Sequence, residues 1–84
     1  MNTERFYVYV LRGLKDGRYY IGQTSNLDQR LKRHNANKGR YTKNKGPFTL
    51  VYKEEFMTRS EAMRREKFLK SGQGREYLKQ VIPR

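Results

Sequence analysis

The chain has no cysteine and no tryptophan, only two prolines in 84 residues, and few acids: 8 Asp and Glu against 20 Lys and Arg. Each shortage excludes something. Without cysteine there are no disulfides, no thiolate zinc sites and no cysteine nucleophile. No apolar run approaches the roughly 18 residues that a membrane-spanning helix needs. The apolar stretch near the start, Phe6 to Leu11, is six residues long, too short for the core of a secretion signal. These shortages lead us to expect a cytoplasmic protein that does not enter a membrane. The scarcity of acid leaves a formal charge of +12. Repulsion on that scale is most simply tolerated for the sake of a polyanionic partner, and nucleic acid is the first expectation.

Leu, Ile, Val and Phe are scarce as well, 17 of 84 residues, which is near the level at which chains fail to fold. Seven tyrosines restore the balance, because each buries a ring while its hydroxyl stays wet or bonded. We therefore expect one small folded domain spanning residues 1–84, with a thin core and a polar surface.

Phe6-Tyr7-Val8-Tyr9-Val10-Leu11 reads as a strand, rich in β-branched and aromatic residues. Lys15-Asp16-Gly17 supplies turn chemistry, and Arg18 to Gly22 returns as a second strand. Period-two alternation puts Tyr7, Tyr9 and Leu11 on one face with Val8 and Val10 on the other, and separates Tyr20 and Gly22 from Tyr19 and Ile21. Ser25 is the expected cap of a first helix running to about His34. Leu27, Arg30, Leu31 and His34 form one stripe of it, half apolar and half cationic. Residues 35–47 read as a long turn-rich loop carrying Lys38, Arg40, Lys43 and Lys45, whose charges suit a nucleic-acid backbone. Phe48 to Phe56 returns to a strand. Thr58-Arg59-Ser60-Glu61 matches a capping box and opens a second helix that ends near Gly72, expected in a left-handed position. A last helix, from about Gly74 to Val81, should bury Tyr77, Leu78, Val81 and Ile82, and Pro83 stops it.

Several residues admit two readings. Glu66 shares a stripe with Ala62, Met63 and Leu69, so its carboxylate needs a cation or a metal; a bridge to Arg65 or Lys70 would satisfy it equally. Arg30 is a surface cation or a fork that holds two oxygens of one phosphate. His34, the only histidine, is a solvated helix-end residue or a proton relay. Tyr9 and Tyr20 pack as strand tyrosines do, or present a phenol to a reacting water.

Taken in order along the chain, these residues resemble the GIY-YIG nuclease family over about residues 5 to 82. Tyr7-Val8-Tyr9 stands at the first motif and keeps its final tyrosine, Tyr9. Tyr20-Ile21-Gly22 matches the second motif, and Arg30, ten residues after Tyr20, matches the catalytic arginine. His34 stands where the family carries a histidine or tyrosine, and Glu66 matches the metal-binding glutamate. The resemblance implies an α+β fold, a small three-stranded antiparallel sheet flanked by helices. It also implies a metal-dependent endonuclease that hydrolyses phosphodiester bonds in nucleic acid, DNA before RNA. Glu66 would ligate Mg²⁺ (or Mn²⁺), Arg30 would hold the phosphate, His34 would assist, and Tyr9 or Tyr20 would be the base. The alternatives are a nucleic-acid-binding domain with little or no cleavage and, more weakly, a protein-interaction module.

Overall fold

The computed structural model describes residues 4–36 and 47–83. Three strands, β1 (Phe6–Gly13), β2 (Tyr19–Thr24) and β3 (Phe48–Phe56), form one antiparallel sheet in the order β2-β1-β3. This is the expected α+β architecture. Lys38, Arg40, Lys43 and Lys45 lie outside the described residues. The β1–β2 turn is closed by Gly17 at φ 70°, a backbone state that favours glycine. Tyr19 to Thr24, rather than Arg18 to Gly22, forms β2, because the turn holds Arg18: its N–H donates to Asp16 Oδ1 at 2.9 Å.

Helices cover both faces. Val8, Val10 and Ile21 pack with Ala62, Leu69, Leu78 and Ile82 of the C-terminal helices. Tyr9, Leu11 and Phe48 pack with Leu27 and Leu31 of α1 (Leu27–Asn35). The alternation read from the sequence therefore separates two thin cores, one on each side of the sheet.

Helix ends depart from expectation in two places. Asn26, not Ser25, caps α1, its side chain accepting from Gln29 N–H at 3.1 Å. The reason lies upstream: the strand runs to Thr24, two residues beyond the expected Gly22, and Thr24 Oγ1 accepts Asn26 N–H at 3.1 Å. Ser71 ends α2 (Arg59–Lys70) and also caps α3 (Gly72–Val81). Its extended backbone, φ −78° and ψ 169°, breaks the helix without a left-handed glycine. Gly72 is thus the first residue of α3 and not a C-terminal cap. The Thr58 capping box forms as expected, its hydroxyl accepting Glu61 N–H at 3.2 Å. Two side chains expected inside point outward: Met63 is 53% exposed and Val81 38% exposed. Ala62 and Leu69, both 0% exposed, already fill the α2 contact, and Leu78 and Ile82 fill that of α3.

Two features fix α2 and α3. At Gly74 a Cβ would stand 2.7 Å from the Leu69 carbonyl carbon, so only glycine allows α3 to approach α2 this closely. On β3, Glu54 takes both arms of the Arg65 guanidinium, at 2.7 and 3.0 Å. The guanidinium also lies 4.9 Å from the ring centroids of Phe68 and Tyr77. Tyr52 donates to Glu54 and meets the Tyr77 hydroxyl at 3.1 Å. Burial alone would raise the Glu54 pKa, but the Arg65 and Tyr52 hydrogen bonds outweigh it and hold the carboxyl below its usual range.

Candidate active site

The site begins with a register. Tyr9 on β1 lies directly opposite Gly22 on β2, and directly opposed residues share a face. A Cβ at Gly22 would overlap the Tyr9 hydroxyl and stand 2.6 Å from Cζ. The missing side chain is therefore the space through which the Tyr9 phenol crosses β2. Because β2 is an edge strand, the phenol arrives at the rim of the sheet.

There it meets α1. Tyr9 is 4% exposed, and its oxygen lies 3.1 Å from His34 Nε2, with the two ring centroids 5.9 Å apart. Arg30, one turn before His34, brings its positive charge to bear on the Tyr9 phenol and lines the same cleft. Leu27 and Leu31 anchor the helix against Tyr20, Leu50 and the Tyr9 core, which turns the cationic half of the stripe toward the rim. Burial raises the Tyr9 pKa, opposed by the charge of Arg30 and reinforced by the charge of Glu66. Burial lowers the His34 pKa, helped by Arg30 and Arg33. Near neutral pH this pairs a protonated phenol with a neutral imidazole. The phenol donates to Nε2 in the imidazole tautomer that carries its hydrogen on Nδ1, and accepts from Nε2 in the other.

Tyr20 has a different neighbour. Its hydroxyl donates to Asp16 Oδ2 at 2.7 Å, and its ring packs edge-on against Phe48 with centroids 5.1 Å apart. The Asp16 hydrogen bond is the largest cause of a raised Tyr20 pKa. Asp16 itself is held below the usual carboxylate range, first by the Arg18 N–H and then by the Tyr20 hydroxyl. Sequence reasoning treated Asp16 only as turn chemistry. The clue it missed was a tyrosine four residues on, across a turn tight enough to bring the two together.

Glu66 comes from the far side. Its helix packs on the face opposite α1, yet one cleft of about 1180 Å³ runs round the β2 rim and is lined by Tyr9, Tyr20, Arg30, His34 and Glu66 alike. All five expected residues thus border one space. Glu66 is not a lone buried carboxylate. It keeps 22% side-chain exposure, and Lys70 Nζ pairs with its Oε2 at 2.9 Å, one of the bridges that the sequence allowed. Among the described residues no group of three or more His, Cys, Asp or Glu could enclose a metal ion. A single carboxylate does suit Mg²⁺, which keeps most of its waters and takes one or two carboxylates beside substrate phosphate. Lys70, the more exposed partner, would have to swing aside, and helix-surface pairs four residues apart are worth only about 0.3–0.5 kcal/mol.

The dependence of Tyr9 on Gly22 can be tested without any substrate. In Gly22→Ala the rigid ring must rotate away, at a cost of about 1–3 kcal/mol, while the sheet stays folded. Loss of the contact should admit water to His34 and move its titration upward, toward the ordinary value near 6.5. Ring NMR of the variant would show that shift; a titration and Tyr9–His34 contacts identical to the parent would contradict this account of the glycine.

Comparison with known proteins agrees with this geometry. The model of the GIY-YIG catalytic domain matches residues 5–78. UPF0213 protein SH2523 of Staphylococcus haemolyticus is 43% identical over 81 residues, 95% of this chain and 98% of its own length. A UPF0213 protein of Oceanobacillus iheyensis is 42% identical over 79 residues, covering 93% and 91%. The solution NMR structure of UPF0213 protein BH0048 from Bacillus halodurans superposes with a TM-score of 0.56 at 41% identity, over 92% of this chain and 84% of that one. The chain belongs to the GIY-YIG catalytic-domain family.

Proposed function

We propose that the cleft hydrolyses phosphodiester bonds in nucleic acid, DNA in the first instance, as a divalent-metal-dependent endonuclease. The observation that carries this reading is the meeting of Tyr9, His34, Arg30 and Glu66, from both faces of the sheet, in one cleft. In this reading Arg30 offers the N–H groups of its fork to the scissile phosphate, neutralising charge that grows in the transition state. Tyr9 is too strongly protonated to act as a phenolate. It works instead as a relay: the attacking water gives a proton to the Tyr9 oxygen as Tyr9 passes its own to His34 Nε2. The water oxygen forms the new P–O bond, and the P–O bond to the leaving oxygen breaks. Tyr20, whose proton is committed to Asp16, is the weaker candidate for the base and borders the cleft as a wall. Glu66 would hold Mg²⁺ or Mn²⁺, which supplies positive charge against the phosphate and leaving oxygens.

The relay fixes a pH dependence. His34 must be neutral to accept, and its pKa is lowered, so it gains a proton only below the ordinary histidine range. The rate with Mg²⁺ or Mn²⁺ should therefore fall about tenfold per pH unit on the acid side, with a midpoint below about 6.5. The experiment is a cleavage profile over single-stranded, duplex, flap and junction substrates, run beside His34→Gln. A rate that stays level down to about pH 5, in parent and variant alike, would remove His34 from the mechanism.

One observation favours a second reading, binding without turnover: the Glu66 carboxylate is already neutralised by Lys70. Binding that persists in EDTA, with no product after long incubation with either metal, would select it.

A further inference from the structure

The cleft has a second wall, which the catalytic reading leaves unused. On α2, Arg59 and Lys70 flank Glu66, and on α3 Arg75 and Lys79 stand four residues apart, all lining the same space. Cations four apart on one helix face repel and destabilise it slightly, and phosphate charge brought into the cleft would relieve that repulsion. Arg75 has an exposed side chain with no hydrogen bond or ion pair to any described residue. Lys79 pairs only with Glu76, at 3.2 Å and with both side chains more than half exposed, a contact worth little. Between them Leu78, 1% exposed, roots the helix in the core, and Gly74 seats α3 directly on α2. The two charges are thereby held at a fixed offset from Glu66 by helix packing.

The volume points the same way. About 1180 Å³ exceeds the roughly 300–1,000 Å³ of ordinary small-molecule sites, and one phosphate held at Arg30 would fill a small part of it. We propose that Arg75 and Lys79 form a phosphate-holding subsite for the nucleic-acid backbone next to the phosphate at Arg30, so that the bound strand crosses the β2 rim from α1 to α3. This rests on the nucleic-acid reading of the cleft, though not on cleavage. The partner is any phosphodiester backbone, because phosphate contacts set register and carry no base sequence.

The test is equilibrium binding of labelled oligonucleotides of several sequences, in EDTA, across a salt series. Arg75→Ala/Lys79→Ala is compared with the parent and with Arg64→Ala/Lys67→Ala, which removes the same charge from exposed positions outside the cleft lining. The first variant should lose affinity equally for every sequence. Its slope of log affinity against log salt should shrink by about 1.4 on single strands or 1.8 on duplex, the sum of two phosphate contacts. The control should shift by less than half as much. A slope equal to that of the parent, or to that of the control, overturns the subsite. Should the alanine pair fail to fold, Arg75→Gln/Lys79→Gln is read by the same criterion. A parent that binds without cutting, with the slope change present, sinks the nuclease reading and leaves the subsite standing. Cleavage with no slope change does the reverse, and a parent that binds no nucleic acid sinks both.

Discussion

Arg30→Ala should slow cleavage by about 10²–10³-fold, the usual loss when one preorganised charge-stabilising donor is removed. Arg30 acts on the Tyr9 phenol and lines the cleft. Its charge opposes the rise in the Tyr9 pKa, and in the proposed mechanism its fork grips the scissile phosphate. Arg30→Lys should recover little of the loss. A lysine is a point charge on a flexible stem and cannot present a planar fork to two oxygens of one phosphate. Arg30 is half-buried on the polar part of the α1 stripe, so the fold should survive both changes. Single-turnover rates at saturating metal isolate the chemical step. Cleavage by Arg30→Ala within about threefold of the parent would be far short of the loss expected for a transition-state contact, and Arg30 would then be a surface cation.

Glu66→Gln should reduce the rate by a comparable or larger factor, about 10³-fold. It should also weaken Mn²⁺ binding more than the 10- to 100-fold seen when an outer-shell partner is lost. The amide keeps the shape of the side chain while removing the charge that a hydrated divalent ion needs. Mn²⁺ titration followed by electron paramagnetic resonance reads the second effect with no substrate present. If Glu66→Gln bound Mn²⁺ as the parent does, the metal would have to be held elsewhere. If it cut as fast in Mg²⁺, no metal at Glu66 would be needed.

Much of this was legible in the chain. The alternation of Phe6 to Leu11 correctly divided Val8 and Val10 from Tyr9 and Leu11, because a residue's face depends only on its parity. Phe48 to Phe56 and the Thr58 capping box were found at their true positions for equally local reasons. The α1 stripe, with Leu27 and Leu31 inward and Arg30 and His34 at its rim, was also plain. What stayed hidden depends on how elements meet. Met63 sits at the right spacing for the α2 core, but Ala62 and Leu69 take that contact. Ser71 could not be seen to serve two helices, since each half of its role looks like an ordinary cap. Spacing alone left Tyr9, Arg30 and Glu66 open between a packing or surface role and a place in a site. It was the family resemblance that grouped them, and the missing Cβ of Gly22 leaves room for the Tyr9 phenol at the rim of the cleft that Glu66 also lines.

The Arg65–Glu54 fork stands one residue before Glu66, and a helix turns about 100° per residue. The fork therefore governs the roll of α2 about its own axis, and with it the aim of the next carboxylate. A lesion at Glu54 or Arg65 would misdirect Glu66 from behind, mimicking damage at the cleft although neither side chain lines it. Alanine scans that find those two positions essential would be tracing a gunsight and not a trigger.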